Sequence, residues 1–399
     1  MYRFAKMSHS WHGTELAVLA AIALALPAFA ADWTYDSAAG TITDGVWTFS
    51  ASVASGNKMT VKTCTGCPSE LSTLDFSKPV KDANETTYTI IALGVDVTGN
   101  SGTSLFGKTT QGWKDCVMVN GENLAELILP AEGLKYIYSG SFCGCTALTN
   151  IVNYLPDSVT TVGNAAFQKV PAKCDLYALG VSNGFGRNCF KGSGVRSVHF
   201  GKNIKTIGNG SNSQGAFEGC NYITNIVFHP EGSGITIKKA TFAMSYISTS
   251  MQGAYLTSPL VLYGVKTIED DSFARIFLAG SDKSVTFDNG LQSINTNTIK
   301  SVNNFTKVHF LGAPPTTTGT RFANYGKSTS TKITTYIPYK YRQQWWQYAD
   351  GYDPEMSDAQ KEQLIKLEGT TFSSTYATTP SKRPLLLESL PPGLVVIIR

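Results

Sequence analysis

Two kinds of side chain in this sequence have the type and spacing to do chemistry. The first is Cys64-Thr65-Gly66-Cys67. A CxxC pair can serve as a redox disulfide, half of a zinc site or a small structural staple. Zinc would need a second pair of ligands, and no further CxxC and no HxxxH exists. A thioredoxin-like role would need a βαβ setting, whereas the flanking Val61-Lys62-Thr63 and Pro68-Ser69-Glu70 read as strand and turn. The pair is expected to be a structural disulfide or two free thiols. The second kind is histidine. His199 and His309 both occupy the middle of Val-His-Phe. Their strands are four steps apart, which at about 4.8 Å per step is roughly 19 Å, too far to share a metal ion. His229 precedes Pro230 at a strand end, and Asp270-Asp271 fits a turn. No carboxylate pair suits glycoside hydrolysis, and no motif for nucleophilic catalysis or phosphate binding is present. No catalytic, cofactor or metal residue is assigned.

The elements that position these residues follow from a second spacing. A large apolar residue is followed five positions later by another in Ile137/Phe142, Val162/Phe167, Phe185/Phe190, Ile237/Phe242, Ile268/Phe273 and Ile294/Ile299. Ile207/Phe217 is a seventh pair, stretched by five residues. Steps of 22 to 31 residues between successive pairs mean one small supersecondary unit per repeat. Short strands precede the pairs at 125–129, 149–153, 175–178, 197–200, 225–228, 260–263, 284–287 and 307–310. Leu134, Val159, Ile204, Val265 and Leu291 lie three before a leading member, and the small Ala166, Ala216 and Thr241 precede a phenylalanine. A one-turn helix around each phenylalanine would point it inward.

These spacings carry a family resemblance. Phe142-Cys143-Gly144-Cys145-Thr146-Ala147-Leu148-Thr149-Asn150-Ile151 resembles the signature of BspA-type leucine-rich repeats, as do the stretch from Phe217-Glu218-Gly219-Cys220 to Ile226 and Val159-Thr160-Thr161-Val162-Gly163-Asn164-Ala165-Ala166-Phe167. The resemblance spans about residues 124 to 345. It departs from the pattern at the insertion before Phe217, at Ile299 and where Cys is missing. It implies a β-rich leucine-rich repeat solenoid with short helical or 3-10 turns. It also implies an exported, often surface-attached protein, several relatives of which resemble adhesins.

The flanks read differently. Residues 1–30 look like a signal peptide, with Arg3 and Lys6 before an apolar run from Leu16 to Leu26 and cleavage near Ala30. Residues 31–123 alternate with period two and read as a small antiparallel β cap. The solenoid is assigned to 124–313, and the last repeat with a C-terminal aromatic cap to 314–368. Within that cap, Tyr341, Trp345, Trp346 and Tyr348 suggest a lid, the alternative being a sugar site. Ser357 is a candidate N-cap of a helix running to Leu367. Residues 369–399 form a linker and an apolar tail, with Leu394 to Ile398 suited to add a strand.

Function is narrowed by composition and facing. A formal net charge of +4, or +3 without the first 30 residues, gives no basis for nucleic-acid binding. Cys145 and Cys220 follow repeat phenylalanines by three and fit buried apolar sites. The outward strand positions Val152, Tyr177, His199, Val227, Val261, Thr286 and His309 carry no charge. Such a strip suits protein binding, with Tyr177, His199, Val227, Thr286 and His309 as the candidate residues. The expected protein is non-enzymatic, secreted or at the cell surface, and binds an extracellular protein or glycoprotein. The alternatives are a structural, self-associating surface component and, third, a hydrolase with an unrecognised site.

Overall fold

In the computed structural model, residues 32–96, 102–109, 116–209, 214–244, 254–295, 302–303, 305–318, 333–345, 353–364, 366–367 and 385–390 are described. The leader-like residues 1–30, the Ile299 position, Trp346, Tyr348 and the segment 394–398 lie outside them. The described residues are strand-rich with almost no helix.

The first strands are β1 (Trp33–Asp36), β2 (Thr41–Thr43), β3 (Thr48–Ala54), β4 (Lys58–Gly66), β5 (Ser72–Asp75), β6 (Val80–Asp82) and β7 (Thr87–Leu93). Their pairing differs from the expected antiparallel region. The order β7-β4-β3-β2-β1-β6, with β6 returning to β7, closes six strands into a ring. Two of its contacts, β4 with β7 and β1 with β6, are parallel. The ring buries Trp33, Ile42, Phe49, Met59, Val61 and Ile90. Closure leaves these strands no free edge. Outside the ring, β8 (Gly102–Ser104), β9 (Gly107–Thr109) and β10 (Cys116–Met118) form a small antiparallel sheet.

The repeats are built on ladders of short parallel strands. One ladder starts inside the ring. The C-terminal end of β7 pairs with β12 (Tyr136–Ile137), which pairs with β14 (Thr161–Val162). It resumes through β17 (Thr206–Ile207), β19 (Ile235–Ile237), β22 (Val265–Ile268), β25 (Ser293–Asn295) and β28 (Thr316–Thr318). The leading apolar residues stand in register, Leu93 beside Ile137, then Val162 and Phe185, and later Ile207, Ile237, Ile268 and Ile294.

The second ladder comes in three sheets. Strand β5 pairs with β11 (Leu124–Ile128) and that with β13 (Asn150–Val152). Next are β15 (Asp175–Ala178), β16 (Ser197–Phe200) and β18 (Asn225–Phe228). The last sheet runs β21 (Leu260–Leu262), β24 (Ser284–Phe287), β27 (Lys307–Phe310), β29 (Ile333–Pro338), β31 (Leu385–Leu390) and β30 (Lys366–Leu367). A third short ladder, β20 (Ala254–Leu256), β23 (Ile276–Leu278) and β26 (Val302–Asn303), serves later units. At the outer edge of β5, the carbonyls of Thr73 and Asp75 point away from β11. They accept the indole N–H groups of Trp47 at 3.0 Å and Trp33 at 2.7 Å.

The phenylalanine turns are not helices, contrary to the one-turn helix expected. Alternate residues bond differently. The amide of Phe142 donates to Ala166 O in the next unit at 2.8 Å, and Phe167, Phe190, Phe217 and Phe242 donate likewise to Cys189, Ala216, Thr241 and Ser272. Three residues on, Cys145, Val170, Ser193 and Cys220 donate back to Phe142, Phe167, Phe190 and Phe217. The acceptors Ala166, Ala216 and Thr241 are the small residues before each phenylalanine, and all are fully buried. The rings stack at 5.1 to 5.4 Å from Phe142 through Phe167, Phe190, Phe217 and Phe242 to Phe273. Burying each contributes on the order of 2–3 kcal/mol.

Toward the C-terminus a 3-10 turn (Tyr339–Tyr341) leads into α1 (Arg342–Trp345). Trp345 is buried with its ring 4.7 Å from Phe310, and its indole donates to Gly312 O. The helix after Ser357 is shorter than expected and ends at Leu364, α2 being Asp358–Leu364. Ser357 Oγ accepts from the Gln360 amide at 3.4 Å, and Gln360 Oε1 accepts from the Ser357 amide at 2.9 Å, a capping box.

Candidate outward-facing binding column

Alternation along each strand of the second ladder sends one residue in and the next out. In β15 and β16 the inward residues are Leu176, Ala178, Val198 and Phe200, all buried. Between them, Tyr177 stands in register with His199, and His199 with Val227. Tyr177 is 48% exposed, while His199 and Val227 are partly exposed. The Tyr177 and His199 rings stack at 4.5 Å and 18°. Ser197 Oγ lies 3.2 Å from His199 Nε2 and fixes one ring nitrogen. Val152, also exposed, pairs with Ile128 on β11, in a separate sheet.

The other candidates form a second segment. Val261, Thr286 and His309 are in successive register, as expected. Thr286 is not on the surface, however. It is 2% exposed, and its hydroxyl oxygen has no hydrogen-bond partner among the described residues. Alternation fixes which way a side chain leaves its own strand but not what covers it, so Thr286 is withdrawn from the binding strip. Sequence reasoning missed the next member. Tyr336 on β29 continues the register from His309, and the two rings stack at 4.5 Å and 8°. Its signal was Thr335-Tyr336-Ile337, which places an aromatic where the earlier strands carry histidine. Also missed were Tyr255 stacked on Phe277 at 5.1 Å and the exposed Tyr222 with Lys173 Nζ 4.9 Å from its centroid.

Burial holds His309 below the ordinary imidazole value, Lys307 adds to this, and Asp282 opposes it. His309 is therefore neutral at pH 7 and able both to donate and to accept. His229 Nδ1 accepts from the Glu231 amide, and Asp271 adopts a left-handed turn conformation. Asp270 O accepts from the Ala240 amide.

The cysteines divide cleanly. Cys64 bonds Cys67, and Cys116 bonds Cys143, a pairing no local spacing announces. Cys145, Cys189 and Cys220 are buried free thiols, and burial pushes all three well up, Cys220 to about 11. Cys174 is pushed up to about 12 by the same cause. Such thiols are packing groups rather than nucleophiles. Among the described residues, no group of three or more His, Cys, Asp or Glu is placed to hold a metal ion. Among them too, no helix is long and apolar enough to cross a membrane.

Comparison with known proteins is consistent with this construction. The family described as "BspA type Leucine rich repeat region" matches in six copies, over residues 117–246 and 183–312. No curated protein matches. Three solved structures are similar. A leucine-rich repeat protein from Bacteroides ovatus has 13% identity and a TM-score of 0.38, covering 73% of this chain and 71% of that one. A leucine rich cell surface protein from Faecalibacterium prausnitzii has 16% identity and a TM-score of 0.23, covering 71% and 96%. The pneumococcal vaccine antigen PcpA has 10% identity and a TM-score of 0.35, covering 75% and 72%. At such distance none of the three bears on function.

Proposed function

From the premise that residues 117–312 belong to the BspA-type leucine-rich repeat family, we propose that this is an exported surface protein that binds another protein through the outward face of β15, β16 and β18. The units read as one solenoid, the six-stranded ring as its N-terminal cap and Trp345 over Phe310 as part of a C-terminal one. The register of the leading apolar residues, Leu93 to Phe185 in one run and Ile207 to Ile294 in another, supports this.

One observation carries the binding reading. Tyr177, His199 and Val227 form an uncharged, partly exposed column in direct register. Each stacked ring covers one face of the other and carries a hydrogen-bonding tip, a phenol hydroxyl on Tyr177 and ring nitrogens on His199. Aromatic residues with hydrogen-bonding tips are enriched at protein interfaces. The two disulfides agree with an oxidising compartment, as does the leader-like segment 1–30.

Self-association by edge pairing is the weaker reading. The outer edge of β5 has its Thr73 and Asp75 carbonyls taken by tryptophan indoles, so it offers an incoming strand few acceptors. A capture experiment from host or neighbouring-cell surface extracts tests the proposal, comparing the wild type with Tyr177→Ala/His199→Ala. The wild type should retain a protein partner that the folded double variant loses. Equal retention by both would sink the assignment of this face.

A further inference from the structure

We infer that Cys64–Cys67 is a surface thiol–disulfide exchange site for small thiols, distinct in kind from the structural bridge Cys116–Cys143. Three observations separate the two disulfides. The first is access. Cys116 and Cys143 are both buried, whereas Cys67 is exposed and only its partner Cys64 is buried, opposite Phe49 on β3.

The second is mechanical need. Cys116–Cys143 joins the small β8–β10 sheet to the first phenylalanine turn across 27 residues. Cys64–Cys67 spans a separation of three, so it removes far less freedom from the unfolded chain. Its loop is also anchored without it. The Cys64 amide donates to Leu105 O at 3.1 Å, Asn120 Nδ2 donates to Cys64 O at 3.3 Å, and Asn123 Nδ2 donates to Pro68 O at 2.8 Å. Cys64 and Pro68, the residue after Cys67, are thus held by hydrogen bonds, two of them from asparagine side chains, that do not involve either sulfur.

The third is the fate of the released sulfur. Cys145, Cys189 and Cys220 show that this core holds buried thiols outside any disulfide, Cys189 and Cys220 with a carbonyl acceptor each, Ala216 O at 3.7 Å and Phe190 O at 2.9 Å, and Cys64 Sγ likewise has Gly66 O at 3.4 Å. The exchange step follows. The thiolate of a small thiol attacks Cys67 Sγ, the Sγ–Sγ bond breaks, and its electron pair leaves on Cys64 Sγ, which takes a proton from solvent. One disulfide is consumed and one mixed disulfide forms, with no added oxidant or reductant. Cys67 Sγ is the sulfur that an incoming thiolate can reach, because Cys64 Sγ is buried opposite Phe49, so the adduct forms on Cys67.

The test treats the full oxidised chain with reduced glutathione under native conditions, blocks free thiols, and maps adducts by peptide mass spectrometry. Glutathione is expected on Cys67, a free thiol on Cys64, an intact Cys116–Cys143 and an unchanged melting temperature. Opening of Cys64–Cys67 should be faster than that of Cys116–Cys143 by at least about tenfold, since attack requires access to sulfur. Cys67→Ser should melt like the wild type and take up no glutathione. Similar rates for both bridges, an adduct on Cys64, or resistance until the chain unfolds would overturn the inference.

Discussion

The rings of Phe190 and Phe217 lie 5.1 Å apart and within 2° of parallel, although the chain between Ile207 and Phe217 is five residues longer than in other units. The extra residues leave the stack unbroken, because Phe217 still donates to Thr241 O and Phe190 still donates to Ala216 O. Stacking and hydrogen bonding therefore fix the unit, and the length of the connecting segment does not. Phe217→Ala should cost about 3–5 kcal/mol through the cavity it leaves, measured by urea unfolding. A cost near that of an exposed position would show that the stack contributes little.

Gly186 tests how tightly neighbouring units approach. A Cβ built there would lie 2.4 Å from the Asn164 amide nitrogen, and backbone cannot yield cheaply. Gly186→Ala should destabilise by about 1–3 kcal/mol. Among the described residues, Gly290 has nothing within 4 Å of such a Cβ. Gly290→Ala should be neutral or more stable by about 0.5 kcal/mol, through the unfolded chain. Comparable melting temperatures for the two variants would refute the packing argument.

Strand facing was legible in the sequence, and strand partnership was not. Ser197–Phe200 and Lys307–Phe310 share one inward–outward order, which identified both as strands and aimed both histidines outward. Period-two alternation does not name a neighbour, so nothing in Thr87–Leu93 revealed that β7 runs parallel to both β4 and β12. The same holds for Cys116 and Cys143, which meet only once the β8–β10 sheet settles against the first turn. Thr286 shows the limit of facing itself. Its direction could be read from its strand, but its burial depends on residues remote in the chain.

Thr286 gives a prediction of opposite sign to most core changes. Its hydroxyl is buried without a partner among the described residues, so Thr286→Val should stabilise by about 1 kcal/mol. Partner capture should stay intact, whereas Tyr177→Ala should weaken capture without lowering the melting temperature by more than a few degrees. Loss of capture in Thr286→Val would return this residue to the binding strip.

The indole of Trp47 is both core and edge guard. Trp47→Phe keeps most of the apolar volume and leaves Thr73 O without its donor. A loss of about 1–2 kcal/mol is expected, with increased self-association in sedimentation at high concentration. If sedimentation is unchanged, the indole is not protecting the edge.

His309 predicts a pH dependence. Burial lowers its folded value below the ordinary imidazole value of about 6.5, so the unfolded chain takes up the proton first as pH falls. This contribution to stability is complete above about pH 6.5 and is lost on acidification from there down to the lowered folded value. His309→Gln should flatten the melting temperature between neutral pH and the acid side. An unaltered slope would mean that other groups cause it.

The forward donation by each phenylalanine amide also bears on how such a chain can change length. In the turns the amides donate to the next unit, as Phe142 does to Ala166 O and Phe167 to Cys189 O, while after the leading strands Gly163, Gly186, Lys238 and Glu269 donate back to the unit before. A tandem copy of a whole unit would meet complementary groups on both sides, while a partial or inverted copy would leave them unmatched. Growth by whole-unit duplication is thus the cheap evolutionary route, and point changes at the acceptor positions are the costly one.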